Sequence, residues 1–208
     1  MKSIQNKIIS SIAALGLVFA ASSALAQQYL LEVDRPDFDV LESPDLEGNT
    51  NSKNFKPKDW LEAEVKFKIA RSSDEKAKFA NKVTVRWYVA ADHPEGKGYV
   101  LLKKDIDYIN VPIGEDVYSS VYLSPTAILR LTGGDNAGKS ILSHVGGEIL
   151  VNGTAPAQES GLFTSKGKPG WWNKSGLTSF DNVPLLNKNE TPFKFLWWDR
   201  YAEIEERN

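Results

Sequence analysis

The 208-residue chain has no cysteine, two histidines and one methionine. Without cysteine there are no disulfides, thiol nucleophiles, thiolate zinc sites or iron–sulfur clusters. His93 and His144 alone cannot make a three-histidine metal site. Ser143 and His144 are neighbours that point to opposite faces of a strand, so they cannot act on each other as nucleophile and base. No G-x-S-x-G elbow occurs either. Charge is nearly balanced, with 25 Lys and Arg against 27 Asp and Glu and a net charge of −2. A mildly acidic chain gives no electrostatic reason to expect nucleic acid or anionic lipid as a partner. Beyond the N-terminus no apolar run approaches membrane-spanning length, so the rest of the chain is expected to be soluble.

The N-terminus itself has the three parts of an export signal. Lys2 and Lys7 form a positive region, residues 8–21 are almost unbroken apolar sequence, and Ala24-Leu25-Ala26 supplies small residues for cleavage before Gln27. The expected organisation is a secretory signal peptide over residues 1–26 and one domain over residues 27–208. No cysteine follows the cut, so it is not a lipoprotein signal. The expected location is the periplasm or the outer-membrane-associated and extracellular space of a bacterium. A domain that reaches such a compartment without disulfides must hold itself together by burial.

The rest of the chain reads as strands. In residues 60–69, Leu61, Ala63, Val65, Phe67 and Ile69 alternate with Glu62, Glu64, Lys66 and Lys68, which predicts a half-buried antiparallel strand with one wet face. Val83, Val85, Trp87 and Val89 repeat the pattern after a solvated connection over residues 71–82. Further strands are expected over residues 38–41, 99–104, 106–111, 116–123, 148–151 and 193–198. Residues 44–57 read as a loop and residues 202–208 as a frayed tail. Gly146-Gly147 reads as a turn signal before the strand that starts at Glu148. One helix interrupts the series: Ser124-Pro125 forms an N-cap and first-turn proline, and Gly133 a C-cap, so residues 125–132 should be a short helix between strands. The fold class is all-β, an immunoglobulin-like β-sandwich with that one helix, and a barrel is the alternative.

The sharpest motif is Gly133-Gly134-Asp135-Asn136-Ala137-Gly138-Lys139-Ser140, a full G-x-x-x-x-G-K-[ST] match. A phosphate loop must leave a strand and enter a long helix whose N-terminus faces the anion. Here a helix precedes the string and Gly146-Gly147 follows within two turns, so no nucleotide is expected at Gly133–Ser140. The carboxylates Asp34, Asp37 and Asp39, or Asp105 and Asp107, lack the spacing of a calcium loop. No cofactor, metal or catalytic residue is assigned. Asn-x-Ser/Thr strings at Asn152, Asn173 and Asn189 matter only in a eukaryotic secretory pathway.

Tryptophan is the informative residue, with six in the chain. Trp60 and Trp87 fall within amphipathic strands and should be core. Trp171-Trp172 and Trp197-Trp198 are adjacent pairs, so in a strand one member of each should face away from the core. An exposed indole stacks on a sugar ring or packs against another protein, unless a covering loop buries both members. Trp171, Trp172, Trp197 and Trp198 are therefore the candidate contact residues.

The stretches Lys58-Asp59-Trp60-Leu61-Glu62-Ala63-Glu64-Val65, Val83-Thr84-Val85-Arg86-Trp87-Tyr88-Val89 and Phe193-Lys194-Phe195-Leu196-Trp197-Trp198-Asp199-Arg200-Tyr201 resemble the pilus-like, immunoglobulin-fold proteins encoded beside type IV pilus genes in mucin-associated Verrucomicrobia. The resemblance covers most of residues 27–208 and transfers no functional residue. It implies a β-sandwich similar to stator-like or accessory components of pili and archaeal motility filaments. True pilins retain a long N-terminal helix after prepilin cleavage, and a cleavable signal without that helix separates this chain from the filament subunits. The expectation is an exported non-enzymatic accessory protein whose partners are pilus or envelope proteins, with a homo-oligomer left open. The alternative is a carbohydrate-binding module that recognises mucin or matrix glycans, such as a host glycan, through exposed tryptophans.

Overall fold

The computed structural model describes residues 29–45, 56–70, 76–96, 98–134 and 137–206; the expected signal peptide at residues 1–26 lies outside them. Eleven strands and one α-helix appear among the described residues, in the order β1 (Leu31–Val33), β2 (Asp37–Glu42), β3 (Asp59–Ile69), β4 (Phe79–Asp92), β5 (Tyr99–Pro112), β6 (Asp116–Leu123), α1 (Pro125–Thr132), β7 (Leu142–Val151), β8 (Leu162–Thr164), β9 (Leu177–Ser179), β10 (Leu186–Asn187) and β11 (Glu203–Ile204). In sheet one, β1 and β2 lie end to end along β3, which pairs with β6, and β10 closes the far edge. Sheet two runs β5–β4–β7–β8, with β9 and β11 both against the free edge of β5. Among the described strands every pairing is antiparallel except that of β5 with β9, and the isolated bridge from Tyr118 to Tyr201 is parallel too.

The two sheets form a β-sandwich. With the major strands taken in chain order, β2, β3 and β6 stand as A, B and E, and β5, β4, β7 and β8 stand as C′, C, F and G. That is the connectivity of an immunoglobulin-like sandwich. The helix α1 crosses from sheet one to sheet two, capped as its sequence predicts: the Ser124 hydroxyl accepts from the Ala127 amide, and Gly133 sits at φ 73.

Alternation builds the core. Leu61, Ala63, Val65, Phe67 and Ile69 of β3 face Val83, Val85, Trp87 and Val89 of β4, and all are buried. Trp87 donates from Nε1 to Ser119 Oγ at 3.0 Å, and the Tyr108 hydroxyl donates to the same oxygen at 2.9 Å. This buried link joins the two sheets. Burial drives the Tyr108 hydroxyl pKa far above its ordinary value.

Several local expectations need correction. The expected strands over residues 99–104 and 106–111 are one strand, because β4 is long enough to pair through the charged run Lys103-Lys104-Asp105. β4 begins at Phe79, four residues inside the connection expected over residues 71–82. Gly146 and Gly147 are no turn; β7 runs straight through them. A Cβ on Gly147 would meet the Arg86 carbonyl oxygen and Phe163 Cζ, and one on Gly146 would meet the Trp172 and Trp171 rings. The pair is a gap in the strand that aromatic rings fill from both faces. Across Gly147, Trp87 and Phe163 meet edge to face with centroids 5.0 Å apart.

Residues 193–198 are not a strand. Thr191 caps a 3-10 turn over Pro192–Phe195, its hydroxyl accepting from the Phe193 amide at 3.2 Å. Nor is the tail frayed at its start, since Glu203 and Ile204 pair with Ile109 and Tyr108 of β5. The face of β3 expected to be wet is covered in part. Residues 186–201 lie across it, and Glu62 is buried.

Candidate binding surfaces

Sheet one carries a C-terminal strap, residues 186–204. It starts on β6 as β10 and crosses the outer face of the sheet. It bridges to Tyr118 at Tyr201, then reaches sheet two as β11. A capping box fixes the first turn, with Glu190 N donating to Asn187 Oδ1 and Asn187 N donating to Glu190 Oε2. Phe193 then drops between Trp60 and Tyr122, edge to face at 5.7 Å with the first and stacked at 5.5 Å on the second. These rings form a second small core outside the sandwich.

Beside it lies a polar network. The Tyr122 hydroxyl donates to Glu62 Oε1 at 2.5 Å, and the Tyr201 hydroxyl donates to Glu64 Oε2 at 2.5 Å. Ser120 bonds both Glu64 and Tyr201, and Arg200 pairs with Glu64 while lying over the Tyr118 ring. Burial pushes the Glu62 carboxyl above the usual carboxylate range, against the opposing hydrogen bond from Tyr122. Burial also raises the Tyr122 and Tyr201 hydroxyls, and the Glu62 charge adds to both. Lys188, a buried residue of the strap itself, has its ammonium pKa lowered by desolvation, with attraction to Glu62 opposing. Its Nζ lies against the faces of Trp198 and Tyr201 and donates to the Lys194 carbonyl at 3.3 Å. Each polar group here has a partner within the strap or β3 and β6, so the network anchors the strap.

Beyond the anchors, aromatic rings are left in water. Phe195, Trp197 and Trp198 are 53%, 45% and 69% exposed. Trp197 has a φ of 53, a left-handed conformation rare for a bulky residue. A groove of about 630 Å³ runs from Trp198 and Tyr201 to Ile109 and Pro112.

The other pair is placed differently. Trp171 and Trp172 lie in a 3-10 turn, not a strand, and both are buried against the outer face of sheet two. Trp172 stacks on Tyr88 at 4.7 Å, and Trp171 meets Trp172 edge to face at 5.5 Å. Trp171 Nε1 donates to Thr164 Oγ1 at 3.2 Å. The small faces of Gly146 and Ala90 make room for this cover. Where it ends, Ala90, Tyr99, His144, Trp171, Lys174 and Leu177 surround a pocket of about 230 Å³. Neither Tyr99 nor His144 stands out in the sequence as a contact residue: Tyr99 opens an expected strand, and His144 lies before Gly146-Gly147, the pair that reads as a turn and hides the start of β7.

The remaining motif residues are accounted for by local contacts. The Gly133–Ser140 string lies between α1 and β7, the reverse of the strand-to-helix order a phosphate cradle requires, and Lys139 reaches Asp39 at 3.6 Å. Asp34 pairs with Lys66, Asp105 with Arg86, and Asp107 with Lys82. Among the described residues no group of three His, Cys, Asp or Glu converges as a metal site. His93 Nδ1 accepts from the Glu95 amide within its own turn.

One protein-family model matches residues 22–208 of the chain. No curated protein matches. Among solved structures, a protein from Akkermansia muciniphila superposes with a TM-score of 0.76 at 32% sequence identity, over 87% of this chain and 95% of that one.

Proposed function

The chain belongs to the family of that Akkermansia muciniphila protein, and from this premise we propose that it is an exported, non-enzymatic binding protein of a type IV pilus-like or other cell-envelope assembly. The observation that carries the reading is the C-terminal face, where Phe195, Trp197 and Trp198 stand exposed on one anchored strap. Contiguous exposed aromatics mark interaction surfaces, and interface hot spots concentrate in Trp, Tyr and Arg. Arg200 and Tyr201 adjoin the three rings in sequence and bond Glu64, which anchors the patch to sheet one.

Backbone strain supports the same surface. A bulky residue at positive φ costs about 1–3 kcal/mol and persists only where its surroundings over-determine it. The Phe193 ring, stacked on Trp197 at 6.1 Å, and the Arg200 amide, which donates to the Trp197 carbonyl at 3.1 Å, provide those surroundings. These contacts hold the Trp197 indole in place before any partner arrives, which lowers the ordering cost of binding. The export pattern of residues 1–26 and the absence of cysteine are in keeping with a periplasmic or surface location.

Affinity capture from an envelope fraction tests the reading. The unaltered protein should retain assembly components, and Trp198→Ala should lose them at an unchanged thermal midpoint. Equal recovery by both proteins overturns it. So does a blank capture paired with a glycan-array signal that Trp198→Ala removes. Gel filtration adds the homo-oligomer as a defined outcome: self-association lost in Trp198→Ala makes the partner a second copy.

A further inference from the structure

The pocket at the end of the Trp171 cover differs from the other clefts in its chemistry. Its floor is Ala90, 2% exposed, and its walls are Trp171 and Leu177 with the rings of Tyr99 and His144. Tyr99 and His144 meet at 6.3 Å and His144 and Trp171 at 5.6 Å, so three rings form a continuous curved wall. Ala90 pairs with His144 across β7 and with Leu101 across β5. A single small side chain in that cross-strand row opens the depression.

The rim is polar and unspent. The Tyr99 hydroxyl, the His144 imidazole nitrogens, the Lys174 ammonium and the Ser175 hydroxyl make no hydrogen bond or ion pair among the described residues. In two other clefts such groups are paired: Lys104 with Glu190 in one, where Asp107 is also taken by Lys82, and Arg35 with the Ser165 carbonyl in another. The Trp171 indole N–H is also taken, by Thr164, which turns the ring and fixes which part of it borders the pocket.

We propose that this pocket, bounded by Tyr99, His144 and Trp171, is a binding site for one pyranose ring of a glycan. The volume is below the roughly 300–1,000 Å³ of sites for drug-sized ligands, so it suits one ring and not an extended chain. A pyranose has an apolar C–H face for the aromatic wall and hydroxyls around its edge for the rim. The rival occupant of the same size is an aromatic or proline side chain of a peptide. That occupant would shield four hydrogen-bonding groups from water without replacing their partners, which is costly. The sugar satisfies both halves of the site. The pocket is on the outer face of sheet two, away from the strap on sheet one, and so stands or falls independently of the C-terminal surface.

Saturation-transfer NMR with galactose, N-acetylglucosamine and N-acetylneuraminic acid provides the test, with a glycan microarray to present the same rings at higher valency. At least one pyranose should receive saturation from the protein. Tyr99→Ala and His144→Ala, both at exposed or half-exposed positions, should each weaken that binding at least tenfold with an unchanged near-ultraviolet circular dichroism spectrum. No transfer to any of the three sugars together with a blank array overturns the proposal. Transfer that survives both substitutions overturns it too, as does binding of N-acetylphenylalaninamide or a proline peptide in place of the sugars.

Discussion

Gly147→Ala sets two physical expectations against each other. Glycine inside a strand is weaker than alanine by about 0.5–1 kcal/mol, so propensity alone predicts that the substitution stabilises. Packing predicts the opposite. The new methyl would press on the Arg86 carbonyl oxygen and would sit 2.5 Å from Phe163 Cζ and 2.8 Å from Cε1. The carbonyl belongs to the β4–β7 ladder and cannot swing away, so either the strands part or the methyl strains. Overpacking of this kind costs about 1–3 kcal/mol. Displacing Phe163 also loosens its edge-to-face contact with Trp87, a further loss of about 0.5–1.5 kcal/mol.

Set against the propensity gain, the net loss is about 2–3 kcal/mol, or roughly 5–10 °C in Tm for a chain of this size. Urea unfolding followed by far-ultraviolet circular dichroism reads it as a lower midpoint at unchanged slope. Adding Phe163→Ala to Gly147→Ala removes the ring contact and leaves the carbonyl contact, so the double variant should show coupling but not full rescue. A Gly147→Ala protein as stable as the parent refutes the reasoning, and the glycine pair then has no packing role.

Ser119→Ala removes the shared acceptor of Trp87 and Tyr108 and strands two buried donors, at about 1–3 kcal/mol each; calorimetry should show one of the largest Tm losses of any single-atom deletion in the core. Glu62→Gln tests the buried carboxyl. Its folded pKa is raised, so between the unfolded value near 4.5 and the folded value the native state holds a proton that the unfolded chain has lost, and stability falls as pH rises through that window. The variant, which keeps an acceptor for Tyr122, should match the parent below pH 4.5 and gain on it above; a parallel pH profile for the two proteins removes this reasoning. Lys139→Ala breaks only an exposed ion pair with Asp39 and should shift stability by less than about 0.5 kcal/mol, while titration calorimetry with ATP stays flat for both proteins; heat of binding lost in the variant would restore the phosphate-loop reading of Gly133–Ser140.

The main strands were legible because period-two alternation is a direct imprint of a half-buried sheet, as β3 and β4 show. The helix was legible from its Ser-Pro start and glycine stop. The same start signal stands at Thr191-Pro192, before the apolar run Phe193-Lys194-Phe195-Leu196-Trp197-Trp198 that reads as a strand; there the cap decides and the run becomes a turn. Gly146-Gly147 misled for a different reason. Glycine marks both turns and places of close approach, and only the positions of Phe163, Trp171 and Trp172 tell which, all of them distant in sequence. The pairs of tryptophans were visible as unusual, but burial of one pair and exposure of the other depends on what packs across each sheet. Period says which face a residue takes, not whether that face is later covered.

That covering links the fold to both surfaces. A sandwich needs only its inner faces dry, and its outer faces would ordinarily be polar. Here each outer face instead receives an aromatic cover: Phe193 and Leu196 of the strap on sheet one, Trp171 and Trp172 on sheet two. These covers add apolar burial to a chain that has no disulfide to supply stability. Burial alone, however, would end each cover with small or charged residues. Sheet one's cover ends with Phe195, Trp197 and Trp198 turned to water, and sheet two's ends with Tyr99 at 41% exposure beside an open pocket. The water-facing parts of these rings contribute little to folding, although Trp197 stacks on Phe193 and Trp198 covers Lys188, and the Trp197 backbone adds strain. The stabilising demand therefore explains why aromatics lie on both outer faces, and leaves unexplained why each cover continues past its own edge. The binding roles proposed above would account for the continuation, and they make the rings at those edges, more than the buried members of the covers, the residues whose removal should silence binding while the fold survives.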